Sequence, residues 1–137
     1  MPSQPLPHLA PYDRTNIFAR ILRGEAPCTR VYEDEFALAF NNIHPQAPVH
    51  VLVVPKGDYV SNADFAALAP TDLIAGFWRA VGRTATTLGL DGSGYRIVAN
   101  HGPDANQVVF HFHVHVIGGG GSMRSVSGGT PRPGDGT

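Results

Sequence analysis

Only one of the 137 residues, Cys28, is a cysteine, so an internal disulfide and a Cys-based zinc site are both excluded. Charge is also sparse. Charged residues make up 15%, against roughly 25% in average soluble domains, and 10 Lys+Arg balance 11 Asp+Glu to a net charge of -1. Such a chain has no global field for gripping nucleic acid or an anionic membrane, although a local patch can still bind a phosphate. No apolar run approaches the ~20 residues of a membrane helix. Met1 to Pro11 holds four prolines and no Lys or Arg, which does not fit a secretory signal. These absences lead to the expectation of a soluble protein in a reducing compartment, the cytoplasm.

What is present suits one folded domain. Hydrophobic residues at 42% and seven Phe argue against wholesale disorder. The ends differ from the middle: residues 1–12 form a Pro-rich extension, and 120–137 a Gly/Pro-rich tail. The domain is expected over residues 13–119. Thr15 or Asn16 can cap a short helix through Ile17, Phe18, Ile21 and Leu22, with Gly24 and Pro27 ending it. Arg30 to Glu33, Phe36 to Asn42, His50 to Val54, Tyr95 to Asn100 and Val109 to Ile117 read as strands. Thr71 is expected to cap a long helix with Leu73, Phe77, Ala80, Val81 and Leu88 on a helical period. Two helices and five strands make an α+β sheet layer, with the strand order left open.

The chemistry concentrates in the last strand. His111, His113 and His115 alternate with Phe112, Val114 and Val116. On a strand the three imidazoles share one face, and the apolar residues share the face that can bury against helices. Three imidazoles in a row make a poor core, because each ring has two nitrogens that need partners. Two functional readings follow. His-x-His can supply two ligands to zinc, with His50, His101 or Asp104 as a third, but no Cys or carboxylate stands at a recognisable metal spacing. Alternatively, the middle imidazole is a nucleophile. If its Nδ1–H is donated to a backbone carbonyl, its Nε2 lone pair is fixed for attack, and the flanking rings can contact an anionic phosphorus centre.

His111 to Ile117 matches the His-φ-His-φ-His-φ-φ signature of the histidine-triad (HIT) family, and the resemblance extends from about Asn16 to Gly119. Ile17-Phe18, Arg23-Gly24-Glu25, Tyr32-Glu33-Asp34, Ile43 to His50 and Val53-Val54-Pro55-Lys56 resemble its nucleotide-binding branch, which hydrolyses nucleoside phosphoramidates. Gly118-Gly119 after the motif is also typical of that branch. The dinucleoside-polyphosphate hydrolase branch more often has Pro-Arg there, and the nucleotidyltransferase branch usually has Gln at the position of His115.

The resemblance implies a mainly antiparallel five-stranded sheet with two helices. It also implies a homodimer whose sheets join into ten strands, for which Phe77, Trp78 and Val81 are either seam or intrachain core. By similarity His113 is the nucleophile, its Nδ1–H held by the His111 carbonyl. His115 donates to a phosphate oxygen, and His50 belongs to the same hydrogen-bonded cluster. Asn100, Gln107 and Val108 fall at phosphate and leaving-group positions, and the N–H groups of the 105–108 turn are candidate charge stabilisers. Ile17, Phe18, Ile21, Phe40, Ile43 and Leu52 match an apolar purine slot, with Asn41 and Asn42 beside it. No metal or other cofactor is implied. The implied substrates are purine nucleotide (AMP or GMP) conjugates, with no nucleic-acid or membrane partner. The chain departs from the family in three places: Asn42 replaces an Asp for the ribose hydroxyls, Val108 replaces a Ser or Thr, and the tail after Gly119 lacks the family's usual aromatic residue. The first two departures leave a nucleotide-binding regulatory protein with weak catalysis as one rival, and a dinucleoside polyphosphate hydrolase as the other.

Overall fold

The computed structural model describes residues 6–120. Residues 1–5 of the expected extension and 121–137 of the expected tail lie outside the described residues.

A short 3-10 turn, Pro7–Leu9, leads into helix α1, Ile17–Leu22. Asn16, in an extended conformation, caps α1 by accepting the Ala19 N–H at 2.9 Å. Strands β1 (Arg30–Glu33) and β2 (Ala37–Asn41) form a hairpin. Asp34 closes its turn through Oδ1, which accepts the N–H groups of Phe36 and Ala37. Strand β3 (Val49–Pro55) follows, then helices α2 (Asn62–Leu68) and α3 (Thr71–Thr87), strand β4 (Tyr95–Val98) and strand β5 (Val114–Gly118). The sheet has the order β1-β2-β3-β5-β4, and every neighbouring pair is antiparallel.

The period of two sorts the side chains of the sheet onto two faces. Ala37, Ala39, Val51, Val53, Val114 and Val116 point to one face, where Phe65 of α2 and Phe77, Ala80, Val81 and Ala85 of α3 cover them. Phe112 joins this core, with its ring stacked on Phe65 at a centroid distance of 4.6 Å. The opposite face carries Leu38, Phe40, Leu52 and Val54, which pack with Phe18 and Ile21 of α1. His50 and His115 alternate with Val51, Val114 and Val116, so they share the α1 face. Phe77 and Val81 are buried within the single chain, while Trp78 is 42% exposed. Only Trp78 of the three therefore remains available to a seam.

Three expectations need correction. A third helix, α2, stands between β3 and α3; Asp64 fixes its start by accepting the N–H groups of Val60 and Ser61. Pro70, not Thr71, is the N-cap of α3, and Thr71 is its first helical residue. The last strand begins at Val114 rather than Val109, so His111 and His113 precede the regular ladder. Among the described residues no helix is long and apolar enough to cross a membrane.

Candidate active site

The triad histidines are distinguished by what holds each ring. His111 is 0% exposed. Its Nε2 lies 3.0 Å from the Pro55 carbonyl, and its Nδ1 lies 2.5 Å from the Tyr12 hydroxyl. A carbonyl can only accept, so Nε2 carries the proton and Nδ1 accepts from Tyr12. His113 places its Nδ1 2.7 Å from the His111 carbonyl. By the same argument its Nδ1 is protonated and its Nε2 holds the lone pair, which is the tautomer a nucleophile requires. The Phe18 ring meets the His113 ring edge-on at 5.0 Å.

A second chain of bonds fixes His115. The Gln46 N–H points at His50 Nδ1 from 2.9 Å, so that nitrogen must accept. The His50 proton therefore sits on Nε2, which is 2.8 Å from His115 Nδ1. His115 in turn keeps its proton on Nε2, the nitrogen not used inside the protein. The strand register explains how the two rings meet. His115 lies opposite Leu52 and His50 opposite Ile117, which makes the histidines diagonal neighbours on one face. Asn42 Nδ2 also stands 3.2 Å from His50 Nε2. In this tautomer both nitrogens are donors, so that approach is a contact rather than a bond. The His113 and His115 rings lie edge-on at 5.3 Å, side by side at the site.

Burial is the leading influence on the charge of all four rings. Burial first, with the neighbouring His113 acting in the same direction, brings the His111 and His115 pKa values down to about 4. It also holds His113 below the usual imidazole value, although the bond to the His111 carbonyl works the other way, and it lowers His50. The cluster is therefore neutral near pH 7, and the His113 Nε2 lone pair is available without a general base.

The remaining expected site residues divide. Phe18, Ile21, Phe40 and Leu52 pack together beside the triad, whereas Ile17 and Ile43 stand 42% and 85% exposed, outside that cluster. Asn41 is exposed at the end of β2. Asn42 commits its Oδ1 to the His44 N–H at 2.9 Å. Asn100 is half-buried just beyond β4, and Val108 is 70% exposed. Gln107 is buried; it donates to the Val60 and Val109 carbonyls and accepts from the Gly102 N–H, so it braces the loop. The N–H groups of Ala105, Asn106 and Gln107 bond to carbonyls of Gly102 and Pro103. Those three donors of the expected 105–108 group are committed within the turn. Sequence reasoning missed Tyr12 and the Gln46 N–H. Both act from distant or irregular segments, so no local pattern marks them.

Among the described residues no three His, Cys, Asp or Glu side chains are gathered to hold a metal ion. The triad cannot supply them in this tautomer set, because both nitrogens of His111 and the Nδ1 of His113 and His115 are already engaged.

Residues 23–121 match the HIT domain family. An uncharacterized 13.2 kDa HIT-like protein of Azospirillum brasilense is 57% identical over 108 residues, covering 79% of this chain and 88% of that protein. A protein of Zea mays named as a 14 kDa zinc-binding protein is 41% identical over 108 residues, covering 78% of this chain and 84% of its own length. The donor set described above does not fit such a metal here. Among solved structures, a HIT family hydrolase from Clostridium thermocellum superposes with a TM-score of 0.74 at 35% identity, covering 82% of this chain and 96% of that one. A histidine triad nucleotide-binding protein from Candida albicans gives 0.68 at 27% identity, covering 82% and 87%.

Proposed function

The chain belongs to the HIT domain family, and from that premise we propose that it is a nucleotide-binding hydrolase of purine nucleoside phosphoramidates or related nucleotidyl adducts. The observation that carries this reading is the 2.7 Å bond from His113 Nδ1 to the His111 carbonyl, which leaves a neutral imidazole with its Nε2 lone pair aimed for attack. In the first step His113 Nε2 forms a bond to the α-phosphorus while the P–N bond of the substrate breaks. The leaving nitrogen departs as an amine with a proton drawn from solvent. Positive charge develops on His113 and is spread through Nδ1–H onto the His111 carbonyl. His115 Nε2–H is the donor for a phosphoryl oxygen. In the second step water adds to phosphorus and gives up a proton to solvent, the His113–P bond breaks with its electrons returning to His113 Nε2, and nucleoside monophosphate leaves. Both steps are attacks at phosphorus by a neutral nucleophile, and the imidazoles supply the hydrogen bonds.

The packed cluster of Phe18, Ile21, Phe40 and Leu52 supports a purine-binding wall, with the exposed Ile17 and Ile43 as apolar surface for a base to cover. A homodimer joined through the sheet edge at β4 is part of the same proposal, supported by the exposure of Ile97 on that strand and of Trp78 on α3. The reducing cytoplasm suits the free Cys28.

The test is a substrate panel of adenosine, guanosine and uridine phosphoramidates and diadenosine polyphosphate. The expected result is the highest kcat/KM on the two purine phosphoramidates. A preference for the polyphosphate would favour the rival hydrolase reading, and uridine turned over as well as adenosine would remove the purine slot. Tight nucleotide binding with no turnover would favour a regulatory binder. That second reading draws on Val108, which lacks a hydroxyl, and on Asn42, whose carbonyl is held by His44.

A further inference from the structure

We propose that Tyr12 is a positioning residue for His113: its hydroxyl locks the His111 ring, and with it the backbone carbonyl that orients the His113 imidazole. The inference rests on His113 being the nucleophile, and it arises from where regular structure stops. A strand carbonyl is normally placed by its ladder. The ladder to β3 begins at the Val53–Val114 pair, so the His111 carbonyl lies outside it. The peptide that carries the His111 carbonyl is held from its other end by the Phe112 N–H, which bonds to the Tyr59 carbonyl at 2.7 Å, so the His111 ring is a second hold on that peptide, from the Cα side.

The ring is fastened from two separate elements. Pro55, at the end of β3, accepts from Nε2, and Tyr12, ahead of α1, donates to Nδ1. The Tyr12 ring also lies edge-on to the His111 ring at 5.6 Å. Without the hydroxyl, a fully buried Nδ1 lone pair would have no donor, and the ring would relax by turning about its side-chain bonds, by shifting the Cα it stands on, or both. Burial raises the Tyr12 pKa, which keeps the hydroxyl protonated and able to donate. The segment carrying Tyr12 is itself seated on the domain. Ser61 Oγ donates to the His8 carbonyl at 3.3 Å, and the His8 ring meets His101 edge-on at 5.1 Å. Tyr12 lies ahead of residues 23–121, the part that matches the HIT domain, so this fastening comes from outside the matched region.

The experiment compares wild type, Tyr12→Phe and a neighbouring control, Arg14→Ala, on adenosine phosphoramidate. The His113 Nδ1–H proton is followed by NMR in the free proteins. Tyr12→Phe is expected to lower kcat by about 5- to 20-fold, the scale of one lost hydrogen bond. KM should stay within about twofold, because the hydroxyl does not touch substrate. The His113 Nδ1–H should exchange faster in Tyr12→Phe and be unchanged in Arg14→Ala. An unchanged kcat, a loss confined to KM, or a lower kcat with an unmoved His113 proton would each overturn the inference. If wild type does not turn over phosphoramidates, the hydrolase reading fails, and the NMR comparison still decides whether Tyr12 holds His113 in place.

Discussion

Val108 stands 70% exposed beside the loop that Gln107 braces, at the position where the sequence resemblance leads one to expect Ser or Thr. Thr is nearly isosteric with Val, so Val108→Thr adds a hydroxyl without disturbing packing. The expected outcome is a kcat on phosphoramidates raised by about 3- to 30-fold, the scale of one hydrogen bond to developing charge. Nucleotide affinity should move little, because the hydroxyl acts on the transition state. Steady-state kinetics with a binding titration would check both, and an unchanged kcat in a stably folded variant would mean that the hydroxyl has no part in the reaction. The histidines show how finely residue identity matters. One backbone N–H, that of Gln46, sets the tautomer of His50 and through it that of His115.

At the scale of elements, the close approach of α3 to the β1–β2 turn depends on Gly76. A Cβ there would lie 2.2 Å from Phe36 Cδ2 and 2.3 Å from its Cγ, so the helix or the ring must shift. Gly76→Ala is expected to destabilise the fold by about 1–3 kcal/mol, despite the better helix propensity of Ala. Denaturant unfolding would check this, and a variant as stable as wild type would show that Phe36 swings aside freely. The elements were legible where periodicity is strong: β1 has the bounds its sequence predicts, and α3 differs only in its cap. Helix α2 was not, although Ser61 and Asp64 stand at capping-box spacing, because Asn62 to Leu68 buries only Phe65 and leaves Leu68 exposed. The alternation of His111, His113 and His115 survives with only the last of them in a strand. Bonds to the Pro55 carbonyl and to Tyr12 do the work of the ladder for His111, and neither partner is near in sequence. That is why the triad could be read from one short motif and its support could not.

For the whole molecule, the buried imidazoles link stability to pH. His111 and His115 titrate at about 4 in the fold, and His113 and His50 are also lowered. In the unfolded chain an imidazole titrates near ~6.5, so between these values the unfolded state binds more protons and stability rises with pH. The contribution is fully present above ~6.5 and is lost as pH falls toward ~4. Tm is expected to fall steadily between about pH 7 and pH 5, above the range where the carboxylates lose charge, and His115→Asn should flatten that slope. A Tm that is constant or rising on acidification would contradict neutral burial of the cluster. Light scattering at micromolar concentration should give the mass of two chains, and a monomer would remove the joined-sheet dimer.

The covalent role of His113 is tested most directly by rapid quenching during turnover of adenosine phosphoramidate, followed by intact-mass and peptide mass spectrometry. The account predicts a nucleotidyl adduct on the peptide containing His113, its disappearance as substrate runs out, and its absence in His113→Ala, whose turnover should fall by at least about 10³-fold. An adduct on another residue, or a His113→Ala variant that keeps more than about a tenth of the wild-type rate, would contradict it.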